Sequence, residues 1–74
     1  MVSIDMCGTG NQIALLRDQI GLTNQDIADY LGFTSRNTVY RWLHGETLPT
    51  VDHFVMLSEL FHVSVDDLIV RQYM

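Results

Sequence analysis

Between positions 36 and 44 the chain reads Arg-Asn-Thr-Val-Tyr-Arg-Trp-Leu-His, and on a helix this short run divides into two faces. Val39 and Trp42 share one side with Leu43 at its border, while Asn37, Tyr40, Arg41 and His44 share the other and Arg36 stands at the leading edge. Every member of that outer set can hydrogen-bond. An arginine can donate a bidentate pair to guanine O6 and N7, and an asparagine can pair with adenine N6 and N7. Tyr40 can bond a phosphate or rest on a thymine methyl. Thr34, Ser35 and Arg36 would lie at the helix N-terminus, where free backbone N–H groups attract a phosphate. The spacing implies a surface able to meet the bases and backbone of a nucleic-acid duplex.

Charge bears directly on that reading. The 74 residues carry a net charge of −5, with no lysine and only Arg17, Arg36, Arg41 and Arg71 as fixed cations. Duplex binding draws its non-specific affinity from phosphate neutralisation, so an acidic chain must gather its cations where the duplex sits. Half of the arginines fall in the 36–44 run, which has no acid, while Asp52, Glu59, Asp66 and Asp67 lie in the C-terminal part. The expectation is a segregated charge whose positive end is the outer face of this run.

Other chemistries find little support. His44, His53 and His62 recur every nine residues, which is about 2.5 helical turns, so alternate members would face opposite ways. Gly45 and Pro49 also separate the first two, so no metal site is expected. Cys7 has no base arranged near it in sequence and reads as an idle free thiol. No nucleophile motif, phosphate loop or carboxylate pair is present, so no enzyme activity, cofactor or small-molecule ligand is expected. A lone cysteine excludes an internal disulfide. No apolar run approaches the ~20 residues of a membrane span, and the opening residues lack the pattern of a signal peptide. A cytoplasmic protein is the expectation.

Elements that would position the run can be read from capping residues and glycines. Thr9 with Gln12 is a capping-box pattern opening a first helix with Ile13, Leu16 and Ile20, stopped by Gly21. Thr23 with Asp26 opens a second, carrying Ile27, Ala28 and Leu31 and stopped by Gly32. A third helix starts at Thr34 or Ser35 and runs to His44. After a loop through Pro49, Thr50 caps a fourth helix with Val51, Phe54, Val55, Leu57, Leu60 and Phe61. Ser64 with Asp67 caps a short fifth, flanked by Val63 and Leu68 as a hydrophobic staple. The expectation is a single all-α domain over residues 9–70, with no sheet, between a flexible segment 1–8 and a tail 71–74.

Two short helices around a glycine-containing turn form the unit that sets its second helix in the major groove. The stretches LLRDQIGLTNQDIADYLGF, NTVYRWLHG and LPTVDHFVMLSELFHVSVDDLI, spanning Ile13 to Ile69, resemble the Cro/CI-type (lambda-repressor-like, xenobiotic-response-element) helix-turn-helix family over about three-quarters of the chain. That resemblance implies a compact five-helix lambda-repressor-like domain whose second and third helices form the helix-turn-helix. It implies double-stranded DNA as the partner and a small transcriptional regulator, a repressor, as the function. Arg17 matches a family position at or beside phosphate. Asn24, with Gln25 next to it, stands where the family usually has a glutamine that contacts phosphate and base. Ser35, Arg36, Asn37, Tyr40, Arg41 and His44 fall on or beside recognition-helix positions. Leu43 departs from the pattern: many members have a glutamate there that pairs with the first-helix arginine. The turn before Arg36 is also one residue longer than the commonest form.

So few arginines make too few phosphate contacts for one copy alone, so a homodimer is expected. Two copies would place their third helices one DNA turn apart, about 34 Å. Candidate dimer surfaces are Val65 and Ile69, or the tail with Val70 and Tyr73. The alternative is an acidic helix-turn-helix module that binds another protein, an antitoxin's partner or a regulator, without DNA affinity. Its support is the absence of lysine.

Overall fold

A computed structural model describes all residues, Met1–Met74. The order is β1 (Val2–Ile4), α1 (Met6–Gln19), α2 (Asn24–Leu31), α3 (Asn37–Leu43), α4 (Val51–Phe61), α5 (Val65–Leu68) and β2 (Arg71–Tyr73). Each helix contributes a fully buried aliphatic to one core: Ile13, Ile27, Val39, Leu57 and Leu68 all have zero exposure. Burying each such side chain contributes about 1.5–3 kcal/mol, so the five helices are held mainly by one another. Ala28, Leu31, Trp42, Phe54 and Phe61 complete the cluster. Val51, Val55 and Ile20 remain largely outside it.

The expected capping boxes at Thr23/Asp26 and Ser64/Asp67 both form, each with reciprocal side-chain to backbone bonds. Thr50 caps α4 through the His53 N–H. The start of α1 differs from expectation. Asp5, not Thr9, is the N-cap and accepts from the Gly8 N–H at 2.9 Å. Thr9 lies buried within the helix, where its hydroxyl accepts from the Val70 N–H at 3.0 Å. Gln12 reaches the Asp67 carbonyl at 3.0 Å. The pair read as a cap instead ties α1 to the segment around α5.

Glycines at positions 8 and 10 lie inside α1, and their use is close approach. A Cβ at Gly10 would run into the carbonyl oxygens of Trp42 and Leu43, so the α1 backbone lies directly on the C-terminal end of α3. Only a residue without a side chain permits this contact.

No sheet was expected, yet the chain ends pair antiparallel, with Val2 opposite Tyr73, Ser3 opposite Gln72 and Ile4 opposite Arg71. The segments read as a loose start and tail are thus a two-stranded ribbon plus the first turn of α1. Asp5 N–H donates to the Val70 carbonyl at 2.8 Å, which anchors the ribbon to the helical body.

Candidate nucleic-acid interface

The link between α2 and α3 begins with Gly32, which adopts the left-handed conformation at φ 81°. Its N–H bonds the Asp29 carbonyl and the next N–H, from Phe33, bonds the Ala28 carbonyl, the two-bond closure of a helix C-terminus. Phe33 then turns inward and meets Trp42 edge-on at 5.7 Å and His53 edge-on at 4.9 Å between ring centres. Docking this ring on α3 and α4 fixes the longer turn.

Helix α3 starts later than expected, at Asn37, with Arg36 at the N-cap position making no side-chain capping bond. Ser35 precedes it, and its hydroxyl accepts from the Asn37 N–H at 3.1 Å, the bond by which a serine caps the N–H two residues on. Regular helix thus begins two or three residues after the expected start at Thr34 or Ser35, and the Asn37 N–H is occupied by this bond.

The outer face of α3 matches the sequence reading closely. Arg36, Asn37, Tyr40, Arg41 and His44 are all exposed, while Val39 and Trp42 are buried. Tyr40 and His44 stack one turn apart with ring centres 4.0 Å apart. Both ion pairs of the chain use other arginines, Arg17 with Asp18 and Arg71 with Asp66. Arg36 and Arg41 are consequently open guanidinium groups.

Beside them lies a second group of expected contact residues. Arg17, Asp18, Leu22, Thr23, Asn24, Gln25 and Arg36 line an open concavity of about 530 Å³ where α1, α2 and the turn meet. The half-buried Arg17 donates from Nη1 to Asn24 Oδ1 at 2.6 Å and from Nε to Asp18 Oδ1 at 2.9 Å. With glutamate absent at Leu43, Arg17 thus takes its partners from Asp18 and Asn24. Gln25 is tethered along its own helix to Asp29 at 2.9 Å.

The expected segregation of charge is only partial. Asp18 sits in the concavity itself, and Asp26 and Asp29 lie on α2 next to it. Asp18 adjoins Arg17 in the sequence, where a pair between the two is the alternative to a phosphate contact, and that pair forms. Each is engaged locally: Asp18 with Arg17, Asp26 with the Thr23 cap, Asp29 with Gln25.

A family model described as helix-turn-helix matches residues 13–68, which takes in all five helices' buried aliphatics. The chain belongs to the Cro/CI-type helix-turn-helix family. This is a family of DNA-binding transcriptional regulators. Solved structures agree on the fold. The restriction-modification controller protein C.AhdI from Aeromonas hydrophila superposes with a TM-score of 0.78 at 20% identity, covering 86% of this chain and 96% of its own. A transcriptional regulator from Listeria innocua gives 0.77 at 29% identity, over 89% of this chain and 63% of its own. The DNA-binding domain of BldD gives 0.73 at 19% identity, over 89% and 94%. No match is found among the curated proteins. Within this helix-turn-helix chain, α2 and α3 are the motif's two helices, and no helix is long and apolar enough to cross a membrane.

Proposed function

We propose that this helix-turn-helix chain binds specific double-stranded DNA as a homodimer, with α3 in the major groove, and acts as a small repressor in the cytoplasm. The observation that carries the reading is the pair of exposed guanidinium groups, Arg36 and Arg41, unpaired on one face of α3. Asn37, Tyr40 and His44 extend the same face with further hydrogen-bonding groups. Arg41 and Asn37 are assigned to base edges, by the bidentate geometries available to guanine and adenine. Arg36, Ser35 and Arg17 are assigned to phosphate, with Asn24 and Gln25 placing the start of α2 against the backbone. Phosphate contacts position the domain, and the α3 side chains carry the sequence information.

The reading is tested by titrating the protein into fluorescent random duplex at low salt, then selecting a preferred site from a random duplex library. Saturable binding with one enriched, near-palindromic sequence is the expected result. No binding at tens of micromolar would overturn it in favour of the acidic protein-interaction module, for which Asp18 in the concavity would then be the relevant feature.

A further inference from the structure

The terminal ribbon has an open outer strand. Met1 and Met74 exchange backbone bonds in both directions at 2.9 Å, and the Asp5 N–H bonds Val70. Antiparallel ladders alternate, so Ser3 and Gln72 are the bonded pair between these two. It follows that Arg71 and Tyr73 turn their N–H and C=O groups away from β1, to the far edge of β2. All three residues of β2 are exposed, Tyr73 at 76%, so nothing in the chain covers that edge. A ribbon of two three-residue strands is marginal in water and gains from added strands.

We propose that β2 pairs antiparallel with β2 of a second copy across a two-fold axis at Gln72, giving a four-stranded sheet. This rests on the dimeric reading above and names its interface. The register follows from bonding and charge. Centred on Gln72, Arg71 faces Tyr73 of the partner subunit and Tyr73 faces Arg71 of the partner subunit, so both outward residues of both strands are paired. Centring on Arg71 would leave Tyr73 beyond the end of the opposing strand and set like charges face to face. Centring on Tyr73 would carry Arg71 past that end. The Gln72 register instead sets each guanidinium across from an aromatic ring, a favourable pair. Asp66 is the only other charged group bonded to Arg71, and it leaves the backbone edge free. The other apolar candidates near the tail are already engaged: Val65 and Ile69 pack against the core, and a Val70 methyl lies over Gly8. From the Asp5 cap to Arg17 is 12 residues of α1, about 18 Å at 1.5 Å per residue, so the ribbon lies at the end of α1 away from Arg17, on the side where Cys7 meets Gly45 after α3.

The test uses the full chain with Cys7→Ser and single cysteines at position 72 or 51. In the register proposed, Gln72 and Gln72 of the partner subunit form a non-bonded pair with Cα atoms about 4.5 Å apart, within disulfide reach. Gln72→Cys should oxidise to a covalent dimer, whereas Val51→Cys, on the exposed side of α4, should form no disulfide-linked dimer. Tyr73→Pro removes an outward N–H without touching the bond between Ser3 and Gln72, and should abolish association in sedimentation equilibrium with an unchanged circular dichroism spectrum. No cross-link at 72, or preferential cross-linking at 51, overturns the pairing even if Tyr73→Pro does not fold. Binding to duplex is read separately by polarisation. The oxidised dimer should bind a two-half-site duplex on the order of 100-fold tighter than its reduced form at low concentration, as expected when the second contact becomes intramolecular. A cross-linked dimer that binds no duplex would sink the DNA reading and leave the strand pairing intact. A duplex-binding chain that does not cross-link at 72 would do the reverse.

Discussion

Arg17 Nη1 and Asn24 Oδ1 lie 2.6 Å apart, joining the last turn of α1 to the first residue of α2. Because Asp18 holds the Nε side of the same guanidinium, the group is aimed rather than mobile. Asn24 has its oxygen occupied, so its amide N–H groups remain to donate to a phosphate. Arg17→Ala is expected to flatten the salt dependence of DNA binding by about 0.9 in log K per log salt for each half-site. Arg17→Lys keeps one positive charge and should restore most of the slope, while losing the planar grip on Asn24 and Asp18 that aims the group. Polarisation titrations from low to moderate salt would decide this, and an unchanged slope would remove Arg17 from the interface.

Arg41 stands in the last turn of α3 with no carboxylate partner, so its removal breaks no ion pair inside the fold. Arg41→Ala is expected to weaken the selected site by ~1–3 kcal/mol and relax preference at one base position. Arg36→Ala should weaken all duplexes alike and leave the preferred sequence unchanged. If the protein neutralises about 2 phosphates per half-site, the dimer slope is about −3.6 in log K per log salt. Equal losses on specific and random duplex for both variants would mean that α3 reads no bases.

Gly10→Ala sets a methyl group against the carbonyl oxygens of Trp42 and Leu43, which are backbone and cannot swing aside. The expected cost is ~1–3 kcal/mol, as for other overpacked sites. Urea unfolding would measure it. A midpoint equal to wild type would show that α1 and α3 are less tightly apposed than described.

Thr9→Val keeps the shape of the buried side chain and deletes the acceptor for the Val70 N–H. Stability should fall by ~1–3 kcal/mol, the cost of leaving a buried donor unpaired. Hydrogen exchange should speed up in residues 70–73 more than in α2 or α3. Uniform loosening would argue that Thr9 is packing alone.

Much of this was legible in the residues. Thr23/Asp26 and Ser64/Asp67 announced two helix starts, because a capping box is a local pattern within four residues. The outward set on α3 was legible because Trp42 and Val39 leave only one way to turn the helix. What failed was either long-range or locally contested. The pairing of Val2–Ile4 with Arg71–Tyr73 joins opposite ends of the chain, and strands of three residues leave no periodicity to detect. Met6–Gly10 was hidden because two glycines that serve close packing look like a loop. Thr34 and Ser35 both can cap, and only the fold shows that it is Ser35 that bonds the Asn37 N–H. Arg36 joins Arg17 and Asp18 in the concavity only through the packing of α1, α2 and the turn, which spacing along a helix does not describe.

The bare main-chain contact at Gly10 also bears on how such a protein can change its target. With no side chain between α1 and the end of α3, the contact that sets α3 against α1 is made by peptide groups that substitution on the outer face does not alter. Asn37, Tyr40, Arg41 and His44 can then be exchanged as a set, and the helix that carries them keeps its angle. On the proposed reading, a change of preferred duplex would then need changes on one small surface only, without repairing the scaffold each time.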